Sequence, residues 1–392
     1  MAAPLTGLRV VELARILAGP WIGQTLADLG ADVIKVESPA GDDTRAWGPP
    51  FITDADGESL DAAYFHSCNR GKRSVVADFN RPEDLGLVRQ LVDRADVVIE
   101  NFKTGSLVRY GLDYASLAQR NPRLIYCSVT GFGQTGPYAA RAGYDAMIQG
   151  MSGIMDLTGE PDGEPQKIGV AFMDIMTGLY GVIGIQAALA QRAATGRGQQ
   201  IDMALLDVSV AVLANQAMNH LISGVDPVRM GNRHPNIVPY QLFTVSDGRV
   251  MVAVGNDAQF QRFCAVLGQP DLALDPRYIT NAGRVLHRDE LVDCLQSLLA
   301  AWRRTDLLQR LEAVGVPAGP INSVGQALAD PQVMDRRMVL PLPVAGVRGG
   351  TLPTVRTPIV FSDAELALGR PAPRLGEHTA QVRSELAEPP TR

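Results

Sequence analysis

Short apolar, β-branched runs alternate with stretches of helical spacing through the first half of the chain. LRVVEL (Leu8 to Leu13) reads as a strand, Gly19 to Gly30 as a helix closed by glycine, and ADVIKVE (Ala31 to Glu37) as a second strand. That is a βαβ unit. The pattern recurs with Glu83 to Arg94 as helix and ADVVIEN (Ala95 to Asn101) as strand, followed by the strand RLIYCSVT (Arg123 to Thr130). Strands separated by helix-length segments predict a parallel, helix-covered sheet. A long helical segment after Asp174 runs to about Ala194 and stops at Gly196, ahead of a strand over Gln200 to Leu205 and a helix over Val208 to Ile222.

From about Gly224 the pattern changes. QLFTVSDGRVMVAVG reads as a hairpin turning at Asp247-Gly248. Helices over Ala258 to Leu267, Arg288 to Trp302 and Thr305 to Val314 complete a smaller α+β unit. The last fifty or so residues, rich in Pro and Gly, read as an extended arm that must pack on something else. The expected division is 1–223 as the sheet domain, 224–330 as the small domain, and 331–392 as an arm returning to the first.

With 392 residues and 46% hydrophobic content, the chain can bury a large core across two domains. A net charge of -6 and the lack of a dense Lys/Arg run argue against a nucleic-acid surface. No run of eighteen apolar residues predicts a membrane span, and MAAPLTGLRVVEL carries no targeting pattern, so the cytoplasm is the expected location. Cys68, Cys127, Cys264 and Cys294 form no C-x-x-C pair, and the five histidines make no helical metal pair. No metal site is expected.

GFGQTG (Gly131 to Gly136) matches the G-x-G-x-x-G string after a predicted strand. Pro137 and Tyr138 follow where a helix would have to open, so the glycines read as a turn. Neither the nucleotide-triphosphate loop nor the G-x-S-x-G serine elbow is present. What remains is a set of cations in the sheet domain, Arg15, Arg45, Lys72, Arg73, Arg81, Lys103 and Arg109, together with a carboxylate, Asp174, in the apolar stretch GVAFMDIMTGLYG. Asp174 reads as a helix N-cap, accepting hydrogen bonds from first-turn amides. The same position keeps a carboxylate ionised beside the positive end of a helix dipole, which also suits a nucleophile in acyl transfer.

Many segments resemble the class III (formyl-CoA transferase-like) CoA-transferases over nearly the whole chain. They include PLTGLRVVELARILAGP, LADLGADVIKVE, GDDTRAWGPPF, NRGKRSVVADF, ENFKTG, NPRLIYCSVTGFGQTGPY, AGYDAMIQGMSG, MDIMTGLYG, ATGRGQQIDMALLD and LGEHT. The resemblance implies a doubly wound, Rossmann-like α/β domain with a smaller α+β domain, a homodimer of interlocked chains, and no permanently bound cofactor, the coenzyme A thioester being a substrate. It implies that Asp174 attacks the thioester, forming an anhydride and then an aspartyl-CoA thioester. The apolar flanks Val170, Phe172 and Met173 then either keep the site dry or are ordinary core.

Positions matching the family's CoA contacts are Ile16 and Leu17, Ala77, Asp78, Phe79 and Asn80, Asn101, Phe102 and Lys103, Arg109, and Ala142, Gly143, Tyr144 and Asp145. Arg109 is the expected phosphate partner. Ser38, Asn80 and Ala142 stand where formyl-transferase members carry cations, with Arg81 and Arg141 as neighbouring replacements. In the related α-methylacyl-CoA racemases the position of Tyr144 is a histidine that moves a proton. A phenol of ordinary pKa near 10 is poorly suited to that work, so transfer is the expected chemistry and racemase-like isomerisation the alternative. Tyr144 also remains open to a packing role. GNRHPNIVPYQLF in the small domain and ARILAGP look most like members using succinyl-CoA and a dicarboxylate such as glutarate. A second carboxylate calls for a guanidinium: Arg15 is the first candidate, with Arg45 and His234 behind it.

Overall fold

A computed structural model describes residues 2–388. Six parallel strands form its main sheet: β1 (Arg9–Glu12), β2 (Asp32–Glu37), β3 (Arg73–Val76), β4 (Val97–Glu100), β5 (Ile125–Thr130) and β6 (Gln200–Ala204). Their order is β3-β2-β1-β4-β5-β6. The sheet therefore reverses its winding between β1 and β4, the place where open α/β sheets leave a crevice beyond their strand ends.

β-branched runs form these strands because helices cover both faces, so a strand needs no polar side. Val33, Val97, Ile99 and Ile125 are fully buried on one face, while Val75, Val98 and Tyr126 are buried on the other. Each such apolar side chain contributes roughly 1.5–3 kcal/mol. The first face is covered by α1 (Ala18–Asp28) and by α5 (Phe172–Thr195). Those two helices meet through glycines: a Cβ on Gly178 would lie 3.1 Å from the Ala18 carbonyl, and one on Gly181 would lie 2.4 Å from Ile22. That approach sets the start of α1 beside the start of α5. The second face is covered by α3 (Pro82–Asp93).

Several expectations need correction. Asp174 is not an N-cap: α5 begins two residues earlier, and Ala171 holds the cap position. The expected helix over Val208 to Ile222 divides into α6 (Leu205–Ala211) and α7 (Asn215–Ser223), bent by 73° with Ala214 at φ 48°. By length and composition α5 could cross a membrane, although no unbroken apolar run announces it, because mean hydropathy tolerates isolated glycine, threonine and charge. One side of it, including Thr177, Gly181 and Ile185, is core; Leu179, Tyr180 and Ile183 are exposed.

The described chain divides into two compact units. One takes residues up to Ile154, Lys167–Ile222 and everything from Pro331 on; the other takes Met155–Gln166 and Ser223–Asp330. The second unit thus recruits a short excursion from the first half of the chain. Its three-stranded antiparallel sheet joins β7 (Tyr240–Val245), β8 (Gly248–Ala253) and β9 (Ala318–Pro320), with β8 central. Val245 pairs with Gly248, which puts the turn at Ser246-Asp247, one residue earlier than the sequence implies. Helices α8 (Asp257–Val266), α9 (Arg288–Leu299) and α10 (Arg304–Ala313) bury Phe260, Phe263, Leu295 and Leu307 against it.

In the first unit the arm ends in α11 (Thr379–Ala387) and closes the free edge of β3. His378 Nδ1 accepts from the Ser74 amide at 3.3 Å, and Thr379 Oγ1 accepts from the Val76 amide at 3.0 Å. An unpaired edge strand is thereby covered. An accepting nitrogen must be unprotonated, and burial holds the His378 imidazole below its ordinary pKa, with Arg370 and Arg73 acting in the same sense and Glu377 and Asp32 opposing. The unfolded chain therefore takes up this proton at higher pH than the folded one. The stability it contributes is whole above about 6.5 and is lost as pH falls. Urea midpoints should drop from about pH 7 to about pH 5 by more in the parent than in His378→Asn, whose amide oxygen accepts without titrating.

Candidate active site

Beyond the strand ends at the winding reversal lies a cavity of ≈ 220 Å³. The loop after β1 supplies Arg15, Ile16, Leu17 and Ala18; the loop after β4 supplies Asn101, Phe102, Lys103 and Thr104. The end of β5 contributes Val129 and Thr130, the loop after it Gly131, and the approach to α4 (Asp145–Met151) Arg141, Ala142, Gly143 and Tyr144. Asp174 and Leu205, each in the first turn of its helix, complete the wall. Helix starts carry partial positive charge, so the cavity favours anionic ligands.

Tight backbone contacts shape it. A Cβ on Gly131 would lie 2.7 Å from the Gly143 Cα, so the two lining loops touch main chain to main chain. Asn101 clamps the loop after β1, its Oδ1 accepting from the Arg15 amide at 3.0 Å and its Nδ2 donating to the Arg15 carbonyl at 2.6 Å.

The start of α5 is held from another helix. Asp145 Oδ1 accepts from the amides of Met173, at 2.7 Å, and Asp174, at 3.1 Å. Its Oδ2 accepts from Gln149 Nε2 at 2.5 Å, and Gln149 Oε1 accepts from the Ile168 amide at 2.9 Å. Asp145 thus performs the capping that the sequence assigns to Asp174, which leaves the Asp174 carboxylate free of that task. Burial, and then the Asp145 charge, push the Asp174 carboxyl up to about 7. A carboxylate in that state is poorly solvated and correspondingly more nucleophilic when ionised. Burial, and after it the Asp174 charge, push the Tyr64 phenol up to about 12, which places Tyr64 near the site although the sequence reading passed it over.

Ten of the positions singled out in the sequence line this one cavity: Arg15, Ile16, Leu17, Asn101, Phe102, Lys103, Ala142, Gly143, Tyr144 and Asp174. Phe79 and Arg109 lie outside that wall but connect to it. Phe79 stacks on Phe102 with centroids 6.1 Å apart and meets Tyr110 edge-on at 5.4 Å, and Arg109 covers Tyr110 at 4.6 Å. Ala77 is buried, while Asp78 binds the Asn80 amide at 2.9 Å and shapes the turn into α3. Tyr144 is 61% exposed on the cavity wall, so it packs little within its own chain. Met173 is core, whereas Val170 is 56% exposed.

Arg45 must be withdrawn as a carboxylate partner. It is 8% exposed, grips Glu37 through Nε at 2.8 Å and Nη2 at 2.7 Å, pairs with Asp61 at 2.6 Å, and lies 3.6 Å over the Phe65 ring. All three of its guanidinium nitrogens are held by groups of the chain itself. His234 belongs to the second unit, where its Nδ1 accepts from the Asn236 amide at 3.1 Å and its ring faces Tyr240. Arg15 is different: it and its partner Asp43, at 2.6 Å, are both exposed to solvent, so exchange for another carboxylate costs little. Among the described residues no His/Cys/Asp/Glu group is arranged to hold a metal.

A doubly wound sheet with a largely desolvated carboxylate on the wall of a cavity at its winding reversal is the architecture of an α/β enzyme. The chain belongs to CoA-transferase family III, whose model matches residues 5–379. It is 59% identical to succinate–glutarate CoA-transferase of Agrobacterium fabrum over 98% of this chain and 96% of that one. It is 40% identical to human succinyl-CoA:glutarate CoA-transferase over 98% of this chain and 86% of the other. A crystal structure of a CaiB/BaiF family protein from Brucella suis is 62% identical, covers 98% of this chain and 100% of its own, and superposes with a TM-score of 0.86.

If Asp145 raises the Asp174 pKa by its charge, Asp145→Asn keeps the accepting oxygen and removes the charge. CoA-transferase activity should rise with pH through about 7 in the parent, as the carboxylate ionises, and the variant's rise should fall at lower pH. Initial rates across pH at saturating substrate check this.

Proposed function

We propose that the protein moves coenzyme A from succinyl-CoA to glutarate, or to a dicarboxylate of similar length, through covalent intermediates on Asp174. The observation that carries this is the Asp174 carboxylate itself, desolvated yet free of structural partners, on the wall of a cavity at helix starts. The names of the relatives reported above supply the acids.

An Asp174 oxygen attacks the succinyl thioester carbon; the C–S bond breaks and coenzyme A leaves as thiolate, giving a succinyl–aspartyl anhydride. The thiolate then attacks the Asp174 carbonyl carbon, releasing succinate and leaving aspartyl-CoA. The acceptor carboxylate repeats the sequence in reverse, ending with acceptor-CoA and the original carboxylate. No proton or water is consumed, so excluding water protects the anhydride without starving the reaction.

Phe79, Phe102, Tyr110 and Arg109 form the surface proposed for the nucleotide end of coenzyme A, with Lys103 and Arg141 as cations at the cavity. Arg15 is proposed to bind the acceptor's distal carboxylate. Isomerisation in the racemase manner is disfavoured because Tyr144, not an imidazole, faces Asp174's cavity. A second copy of the chain is the proposed cover for the exposed apolar residues Leu179, Tyr180 and Ile183 on α5 and Met218, Leu221 and Ile222 on α7.

Mass spectrometry of the CoA esters formed from succinyl-CoA and a panel of acids should show glutaryl-CoA. Asp174→Asn should lose at least about a thousandfold in rate, and Arg15→Gln should raise the KM for dicarboxylates, and for succinyl-CoA, which carries a distal carboxylate of its own, while sparing that for monocarboxylates. Transfer confined to monocarboxylates would refute the acceptor, and an active Asp174→Asn the route. Sedimentation equilibrium should give the mass of a dimer; a monomer would exclude the second copy.

A further inference from the structure

A β-branched residue seldom adopts positive φ. Ile16, on the cavity wall, does so at 73°. Such a conformation costs free energy and persists only where its surroundings over-determine it. The grip is visible: both Asp42 carboxylate oxygens lie 3.2 Å from the Ile16 amide, and Cys68 Sγ lies 3.5 Å from its carbonyl.

Asp42 is itself fixed from below. It is 3% exposed, accepts from the Thr44 amide at 3.0 Å and hydroxyl at 2.8 Å, and pairs with Lys35 Nζ at 2.9 Å. Lys35, fully buried in the middle of β2, spends its remaining donors on Glu12 Oε1 at 3.0 Å and the Ala14 carbonyl at 2.7 Å. Glu12 is in turn paired with Lys72 at 2.8 Å, in space that exists because Gly23 has no side chain: a Cβ there would lie 1.8 Å from Glu12 Oε2. The buried ions therefore end in a single exposed consequence, the conformation of the loop after β1.

We infer that Asp42, with Lys35 as its counter-ion, is a positioning residue that holds Ile16 in its left-handed conformation and so presents Arg15 and Leu17 to the Asp174 cavity. Asp42 does not itself line the cavity; it acts through the Ile16 backbone. An asparagine there has one accepting oxygen for the Ile16 amide, the Thr44 amide and hydroxyl, and the Lys35 ammonium, so it cannot serve them all. A glycine at position 16 would enter the left-handed region without help. The inference rests on the transfer reaction proposed above only for the activity by which it is read.

Two measurements test it. In a double-mutant cycle, Asp42→Asn should lower kcat/KM for the acceptor about tenfold or more in the parent, but by no more than about threefold when Ile16→Gly is already present. Hydrogen exchange should find the Ile16 amide protected in the parent and faster in Asp42→Asn. An equal cost in both backgrounds, or rapid exchange of that amide in the parent, would overturn the inference. If the parent transfers CoA to no acid, the functional reading fails, and exchange alone still decides the role of Asp42.

Discussion

One carboxylate oxygen, Asp145 Oδ1, accepts the amides of Met173 and Asp174 together. The rest of the site depends on that grip. The first amides of a helix have no partner within it, and an aspartate in the first turn would ordinarily turn back to bind them. Because a residue from α4 satisfies them, Asp174 keeps its carboxylate for the cavity. Burial, with the Asp145 charge behind it, raises that carboxyl to about 7, so the arrangement that frees Asp174 also suits it to the nucleophilic role proposed above.

The two ends of the site are built on different principles. The Asp174 side relies on packing, with Gly178 and Gly181 letting α5 settle on α1 and Gly131 touching Gly143. The Arg15 side relies on buried charge, a chain from Lys72 through Glu12 and Lys35 to Asp42. Buried ion pairs seldom add net stability, because desolvation offsets their attraction. What this chain provides is geometry at a strained residue, a use for which ion pairs suit better than apolar contacts.

The main sheet was legible because strands covered on both faces write themselves as apolar runs. Lys35 stands in the middle of such a run and is fully enclosed. The cavity was legible through resemblance, and ten of the named positions meet there. What was not legible depended on distant partners. Asp174 looked like a cap because its true cap stands in another helix. Arg45 looked available because nothing local announces that Glu37, Asp61 and Phe65 enclose it. The excursion Met155–Gln166 is rich in Gly, Pro and acidic residues, which marks it as a connection but does not say that it joins the second unit.

The central claim is that Asp174 becomes covalently acylated, and oxygen isotopes follow that directly. An acceptor acid labelled with heavy oxygen in both carboxyl positions should, after turnover with succinyl-CoA in ordinary water, leave heavy oxygen in the Asp174 carboxylate, because the anhydride shares its bridging atom with the enzyme. Mass spectrometry of the peptide carrying Asp174 should find it, and over repeated cycles the released succinate should carry it too. A peptide and succinate free of label, with acceptor-CoA formed at the normal rate, would contradict the account.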